Sequence, residues 1–170
     1  VDLGLPSGLK WATCNVGASS PEQYGNYYAW GETETKYTYT EENSITYDVE
    51  MSDISGDPQY DVARKKWGST WRMPTETELR ELKNKCTWTW TTQGGKDGCE
   101  VIGPNGNSIF LPAAGLRRGV SRDYAGEYGY YWGSTPRNSN RACSLYFYSG
   151  DQDMGRDYRS FGFTVRPISE

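Results

Sequence analysis

The sequence predicts an α+β fold, with short helices in the first half and short antiparallel strands joined by long loops in the second half. Two patterns lead to this prediction: a capped helix signature over residues 74–85, and alternation of apolar and polar residues after it. Glycine and asparagine turns separate the alternating segments. The length of 170 residues suits one core, so we expect a single domain over residues 1–170.

The first elements are short. Residues 9–13 alternate apolar and polar side chains, as a half-buried strand does. Ser20 followed by Pro21 is typical of a helix start, with serine as the N-cap and proline in the first turn. Gly25 limits the predicted helix to one or two turns.

Residues 32–58 have the composition of a loop. They are rich in Thr, Glu, Ser and Asp, and a loop this long in a compact domain is usually functional or mobile. We expect a variable surface insertion. Asp57 and Pro58 then repeat the cap-plus-proline signal, which predicts a short helix over residues 61–67.

The clearest element is the helix over residues 74–85. Thr75 and Glu78 have the spacing of a capping box, in which each side chain accepts a hydrogen bond from the backbone amide of the other. One helix face is apolar and carries Leu79, Leu82 and Cys86. The alternation of residues 87–91 then predicts a strand with both tryptophans on one face.

Further strands follow. Asn105 and Gly106 lie between two apolar runs, at residues 100–102 and 108–111, and this arrangement predicts a hairpin. Residues 145–148 and 161–165 have the composition of strands as well.

Composition excludes several classes of function. Histidine is absent, so the chain has no histidine-based catalytic triad and no histidine-ligated zinc. The net charge of −4 is opposite to that of a typical nucleic-acid-binding protein, so no nucleic-acid partner is expected. Apolar runs are too short for a transmembrane helix. The aromatic content of 15% is too high for a disordered chain.

Seven segments carry a resemblance to a known family. They are VDLGLPSGLKWATCNVGA at 1–18, YGNYYAWGE at 24–32, WRMPT at 71–75, CTWTW at 86–90, NSIFLPAAG at 107–115, GYYW at 129–132 and VRP at 165–167. Through them the chain resembles the Fibrobacter succinogenes major paralogous domain family over nearly its whole length. It departs from the family mainly at residues 32–57 and 136–159.

The resemblance implies a C-type-lectin-like fold, in the broad group that includes the formylglycine-generating enzymes. It also implies an extracellular or cell-surface location in Bacteroidetes-type bacteria. Some variable proteins with this fold have a C-terminal region diversified by a retroelement for ligand binding. The chain starts at Val1 with neither an initiator Met nor a signal peptide, so we expect a mature fragment or an excised domain. Membrane contact is expected only through an anchor elsewhere in a parent protein.

Residues 136–159 are the candidate binding segment, together with the loop at 32–58. If Leu145 and Phe147 face the core, Tyr146 and Tyr148 face outward. Tyrosine offers a large contact area at a low entropic cost, and Asn and Arg adapt their hydrogen bonds to a ligand. An ordinary solvated hairpin is the alternative. The candidate ligand-binding residues are Arg137, Asn138, Asn140, Arg141, Tyr146, Tyr148, Asp151, Gln152, Asp153, Arg156, Asp157, Tyr158 and Arg159.

The expected function is binding of a protein or glycan by a non-enzymatic adhesion domain. A calcium-independent carbohydrate-binding module, or a structural adhesin-tip module without a single ligand, is the alternative. The chain lacks the sequence motifs of calcium-dependent lectins, and Asp151 with Asp153 is a weak cation signal, so no metal or cofactor is expected. Formylglycine-generating enzymes use a late Cys-x4-Cys pair. Here Cys143 has no such neighbour, so no enzyme activity is expected.

The four cysteines permit two disulfides in three connectivities. Cys14 and Cys86 lie in segments that match the family, whereas Cys99 and Cys143 lie outside the strongest ones. On that basis the expected pairs are Cys14–Cys86 and Cys99–Cys143. The alternative is that the cysteines stay reduced and pack as small hydrophobes. Most of the 7 tryptophans are expected in the core and much of the tyrosine at the surface.

Overall fold

A computed structural model describes residues 1–170 and shows a mixed protein with two helices and many antiparallel strands. The helices are α1 (Val62–Trp67) and α2 (Glu76–Lys85). The strands are β1 (Lys10–Trp11), β2 (Thr87–Gln93), β3 (Lys96–Ile102), β4 (Ser108–Pro112), β5 (Leu116–Arg118), β6 (Ser121–Asp123), β7 (Gly129–Pro136), β8 (Arg141–Tyr148), β9 (Asp151–Tyr158) and β10 (Ile168–Ser169). This content agrees with the predicted α+β class. Neither helix is long and apolar enough to cross a bilayer.

The strands form four small sheets, all antiparallel. Their orders are β1-β10, β2-β3-β4, β5-β6 and β7-β8-β9. The pairing of β1 with β10 brings the two ends of the chain together. Strands predicted at 87–91, 100–102, 108–111 and 145–148 are confirmed, and each is longer than predicted. The strand predicted at 9–13 is confirmed only over the two residues of β1.

Helix α2 has the predicted capping box. The Thr75 hydroxyl accepts a hydrogen bond from the Glu78 amide, and the Glu78 carboxylate accepts one from the Thr75 amide. Because Thr75 is the cap, the helix begins at Glu76 rather than at Pro74. Leu79 and Leu82 are buried in the core, as their spacing predicts.

Helix α1 is present where it was predicted, but its cap is Asp61 rather than Asp57. One oxygen of the Asp61 carboxylate accepts from the Arg64 amide, and the other accepts from the amides of Gly56 and Met73. Burial raises the pKa of this carboxyl, and the backbone donors act against the rise. Asp61 therefore connects the helix to two loops as well as starting it.

Two predicted elements are wrong. Residues from Ser20 form a turn and no helix, because the Ser20 hydroxyl bonds to the Glu22 carboxylate instead of capping an amide. Residues 161–165 form no strand. They make single bridges to three separate segments, with Gly162 opposite Arg117, Phe163 opposite Tyr28, and Thr164 beside Tyr131.

Residues 32–58 contain no helix or strand, as predicted, but they are not only a surface insertion. The Tyr39 hydroxyl is buried and donates to the Tyr27 carbonyl. Thr46 donates to the Trp30 carbonyl, and Ile54 packs in the core. These contacts attach the loop to the body of the protein at three points along its length.

The core consists of two large clusters. The first lies between α2, the β2-β3-β4 sheet and one face of β8, and it contains Trp11. The second contains Trp30 and Trp132 and is covered by α1. These three tryptophans are buried, as predicted. Trp88 and Trp90 are half-buried, and their rings contact Phe147.

All four cysteines are free, so neither predicted disulfide, Cys14–Cys86 or Cys99–Cys143, is present. The Cys14 thiol donates to the Ala18 carbonyl within its own turn, whereas Cys86 packs against the first core cluster. Cys99 and Cys143 are buried in that cluster as small apolar side chains. Burial raises the pKa of Cys86 to about 11, and those of Cys99 and Cys143 to about 12.

A buried arginine joins three parts of the chain. Arg166 donates to the Ala12 carbonyl at 3.2 Å, the Asn15 side-chain oxygen at 2.8 Å and the Phe110 carbonyl at 2.8 Å. Asn15 in turn donates to the hydroxyl of Tyr131. Burial lowers the pKa of Arg166, and no carboxylate is paired with it.

We expect Arg166→Leu to lower the free energy of unfolding by about 3 kcal/mol or more. Each buried acceptor left without a donor costs about 1–3 kcal/mol, and this change leaves three. Urea denaturation measures the difference. Arg118→Leu is the control, since the exposed ion pair of Arg118 with Asp123 contributes at most about 1 kcal/mol. Equal losses in the two variants would contradict the role of Arg166.

We expect iodoacetamide at about pH 8 to leave Cys99 and Cys143 unmodified in the native protein. Both thiols are buried and have a raised pKa, so little of the reactive thiolate is present. Unfolding without reductant should then expose four alkylatable thiols. Intact-mass spectrometry counts the adducts. Fewer than four adducts after unfolding would show a disulfide that the structure lacks.

Candidate functional site

The two faces of β8 have different surroundings. Cys143, Leu145 and Phe147 point into the first core cluster. Alternation places Tyr146 and Tyr148 on the opposite face, as the sequence predicts, with Tyr146 half-buried and Tyr148 37% exposed.

Five tyrosines form a continuous aromatic surface on this side of the β7-β8-β9 sheet, which we call the tyrosine face. Its members are Tyr124, Tyr128, Tyr130, Tyr146 and Tyr148. Ring centroids are 5.5 Å apart for Tyr124 and Tyr128, 5.9 Å for Tyr128 and Tyr130, 5.3 Å for Tyr128 and Tyr148, and 6.5 Å for Tyr130 and Tyr146. Such spacings are those of interacting aromatic pairs.

The tyrosine face rests on the second core cluster. The Tyr130 ring stacks on Phe163 at 5.1 Å, and Phe163 stacks on Trp132 at 4.1 Å. Phe163 and Trp132 are both buried. The stacking on Phe163 therefore restricts the position of the Tyr130 ring.

An acidic margin borders the tyrosine face on the β9 side. The Ser144 hydroxyl donates to the Asp157 carboxylate at 2.5 Å, and Asp157 has no ion pair. Burial raises the pKa of Asp157, whereas Ser144 and the charge of Arg141 lower it. Gly155 lies opposite Ser144 in the register, where a Cβ would come within 2.7 Å of the buried Ser144 hydroxyl, so the sheet has no room for a side chain at this position.

The carboxylates act on the tyrosines beside them. Burial, and after it the charge of Asp157, raises the pKa of Tyr130 to about 12. Burial raises the pKa of Tyr146 as well, and the nearby charges of Asp153 and Asp151 add to the rise. The hydroxyls therefore stay protonated near neutral pH. The surface thus combines aromatic rings with hydrogen-bond acceptors and neutral hydroxyl donors.

The structure brings only part of the predicted set together. Tyr146, Tyr148 and Asp157 lie at the tyrosine face, with Asp151 opposite Tyr148 in the register. Arg141 and Tyr158 face each other at the far end of the β8-β9 hairpin.

Arg141 and Tyr158 form a separate pair there. Arg141 donates to the Tyr158 hydroxyl at 2.8 Å, and its guanidinium lies 4.4 Å from the ring centroid.

The remaining predicted residues lie elsewhere. Arg137 is paired with Glu76 of α2. Asp153 is the exception, because it lies opposite Tyr146 in the register, at the edge of the tyrosine face, while its carboxylate pairs with Lys83 of α2. By register, Gln152 and Arg156 are opposite Phe147 and Cys143, which places them on the other face of the sheet. In the β7-β8 turn, the Asn138 side chain accepts from the backbone amides of Asn140 and Arg141.

Arg159 corrects the prediction most clearly, because it is fully buried. Its guanidinium donates to the carbonyls of Thr46, Val49 and Asn138 and lies 4.5 Å from the Trp30 ring centroid. Burial lowers its pKa. Arg159 attaches the 32–58 loop to the sheet and is unavailable to a ligand.

The sequence interpretation missed Tyr124, Tyr128 and Tyr130. A signal was present, since Tyr128, Tyr130 and Trp132 alternate along the chain as residues on one face of a strand do. No group of three or more carboxylate or thiol side chains could hold a metal ion.

The fold and site define an α+β protein with a partly exposed tyrosine surface on a three-stranded sheet. A family model described as a domain of unknown function (DUF8237) matches residues 75–168. That match covers more than half of the chain, and the chain belongs to this family. It extends from the cap of α2 into β10 and includes the whole tyrosine face. Searches of curated proteins and of solved structures found no match.

We expect Asp157→Asn to raise the thermal midpoint at about pH 7 and to have little effect at about pH 3. Burial raises the pKa of Asp157 in the folded state above its value in the unfolded chain. The free energy of unfolding therefore falls as the pH rises from the unfolded-state pKa through the folded-state pKa. At neutral pH the whole cost of the buried charge is present, and Asn, which carries no charge, avoids it. About 1 kcal/mol moves the midpoint of a domain this size by roughly 2–4 °C.

Asp153→Asn is the matched control. The Met154 amide and Lys83 lower the pKa of Asp153, so this change should give no gain at neutral pH. Calorimetry at the two pH values measures both variants. A gain for Asp157→Asn of equal size at both would contradict the proton linkage.

Proposed function

We propose that this chain is a non-enzymatic ligand-binding or adhesion domain, and that the tyrosine face is its binding surface for a protein or glycan ligand. The observation that carries the proposal is the run of five neighbouring tyrosines, of which Tyr124 and Tyr148 are 45% and 37% exposed. Exposed contiguous aromatic surface is uncommon on a monomer unless it contacts a partner.

The physical properties of the surface suit recognition. Tyrosine rings supply contact area with only two rotatable side-chain bonds, and the buried floor of Phe163 and Trp132 restricts them further. The Asp157 carboxylate accepts a hydrogen bond from Ser144 and can accept further ones from hydroxyl or ammonium groups of a ligand. Aromatic contact area would supply most of the affinity, and the carboxylate would orient the ligand.

The proposed fold is C-type-lectin-like, within the Fibrobacter succinogenes major paralogous domain family, on a secreted or surface protein of a Bacteroidetes-type bacterium. The resemblance of the seven segments supports it, as do the two helices that precede nearly all of the strands. Diversification by a retroelement is part of the same proposal. A near-repeat of the codons for residues 132–163, beside a reverse-transcriptase gene and differing mainly at adenines, would support it.

Calcium-independent carbohydrate binding is the second candidate function. It is favoured by the combination of ring surfaces, which stack on sugar rings, with carboxylate acceptors for sugar hydroxyls. A glycan array probed with and without a chelator tests this function directly. Glycan signals that persist in the chelator support carbohydrate binding, and signals lost in it contradict calcium independence.

Wild-type protein is first used to select ligands from a glycan array and from a displayed peptide library. We expect the triple variant Tyr128→Ala, Tyr146→Ala, Tyr148→Ala to bind the selected ligands at least about thirtyfold more weakly. Removing interface tyrosines at a binding hot spot costs about 2 kcal/mol or more. Tyr158→Ala is the control, because Tyr158 lies at the far end of the hairpin. Unchanged affinity in the triple variant, or equal losses in both, would overturn the assignment.

A further inference from the structure

A second site lies outside the tyrosine face. An open cleft of about 450 Å³ is lined by residues of the 24–39 segment and of the β5-β6 hairpin, which are joined where Tyr39 and Gly119 exchange backbone hydrogen bonds. Its walls carry Tyr24, Tyr27, Tyr37, Tyr39, Arg117 and Arg122. None of these residues belongs to the tyrosine face or to the ligand-binding residues named from the sequence, although Tyr37 and Tyr39 lie in the 32–58 loop, which the sequence indicated as a further binding segment.

Two arginines face each other across the β5-β6 hairpin. Arg117 and Arg122 are direct cross-strand partners, so their side chains share one face of the two strands. Like charges directly opposite each other destabilise a strand pair. Neither arginine has an ion pair, whereas Arg118, on the other face of the same strand, is paired with Asp123 at 2.9 Å. The cleft face therefore carries two uncompensated charges at a cost to the hairpin.

The positive charge converges on the tyrosines of the cleft. The Arg117 guanidinium lies 5.1 Å from the Tyr27 ring centroid, and that of Arg122 lies 5.6 Å from the Tyr24 centroid. From the β2-β3 hairpin, the Lys96 ammonium lies 4.7 Å from the same Tyr24 ring and is also unpaired. These three cations form a positively charged patch around Tyr24 and Tyr27, although the net charge of the whole chain is −4.

The other side chains that line the cleft add little net charge, because they are either uncharged or paired with a group of opposite charge. Lys36 pairs with Glu32 at 3.1 Å and contributes little free charge. Burial raises the pKa of Tyr27, and the charges of Arg122 and Arg117 act against the rise without reversing it. The Tyr27 hydroxyl thus stays protonated. The lining also includes Asn26 and Thr35, which offer amide and hydroxyl groups.

We propose that this cleft binds an acidic saccharide through its carboxylate, with Arg117 and Arg122 as the carboxylate-binding residues. The planar guanidinium fork matches the two oxygens of a carboxylate, and a bound anion would relieve the repulsion between the arginines. At the mouth of the cleft, Tyr37 is 89% exposed and offers its ring to a sugar face. Asn26 and Thr35 can hydrogen-bond to sugar hydroxyls, which an acidic peptide would not present in the same number.

The test uses the full chain and three probes in isothermal titration calorimetry: trigalacturonate, its neutral methyl ester, and hexa-aspartate. We expect trigalacturonate to bind, the methyl ester to bind at least about tenfold more weakly, and binding to collapse at about 1 M salt, where the screening length is about 3 Å. Tighter binding of hexa-aspartate than of trigalacturonate would overturn the saccharide assignment. Failure of trigalacturonate to bind would overturn the site.

The variant Arg117→Gln, Arg122→Gln should lose at least about tenfold in affinity for trigalacturonate, because it removes the charge-assisted hydrogen bonds from both guanidinium groups to the carboxylate. Its thermal midpoint should be unchanged or higher, since the cross-strand repulsion is removed. Arg118→Gln, on the opposite face of the same strand, should bind like wild type. Wild-type affinity in the double variant, or an equal loss in Arg118→Gln, would contradict the proposal.

Discussion

The buried guanidinium of Arg166 is the interaction on which the rest of the structure depends. It donates to Ala12 and Asn15 near the start of the chain and to Phe110 in β4, so one side chain connects three distant segments. No carboxylate compensates it, and the cost of burying the charge is offset by oxygen dipoles alone. Movement of any one segment would leave a buried N–H group and an oxygen acceptor without a hydrogen bond. The relative positions of the chain ends and β4 are therefore set together.

Arg159, which directly follows β9, is a second buried arginine that donates to carbonyl groups from several segments. It holds the 32–58 loop by donating to the carbonyls of Thr46 and Val49, and it reaches the β7-β8 turn through Asn138. A loop of this length without helix or strand has few backbone hydrogen bonds of its own to hold it. A buried arginine donates hydrogen bonds in several directions at once. Arg159 can therefore hold the 32–58 loop in a fixed position although the loop contains no helix or strand.

Tyrosine has three separate uses in this protein. Tyr39 and Tyr131 are buried and donate their hydroxyls to backbone carbonyls, so they act as polar ties inside the core. Tyr130 and its neighbours form the partly exposed tyrosine face on the β7-β8-β9 sheet. Tyr24 and Tyr27 line the cleft beside the β5-β6 hairpin, where Arg122 and Arg117 lie over their rings. The excess of tyrosine in the composition is thus divided between scaffold and two surfaces of different charge.

The sequence by itself determined the elements whose signals are local. The capping box of Thr75 and Glu78 and the alternation that turns Tyr146 outward involve neighbours a few residues apart, and these predictions are confirmed. Tertiary structure alone decided the rest. Strand β9 has a polar sequence with no apolar alternation and exists because β8 supplies its hydrogen bonds. Arg159 is buried because carbonyls from distant loops surround it. Arg117 and Arg122 become one site only through the β5-β6 register. Such outcomes depend on long-range pairing, which local sequence patterns do not encode.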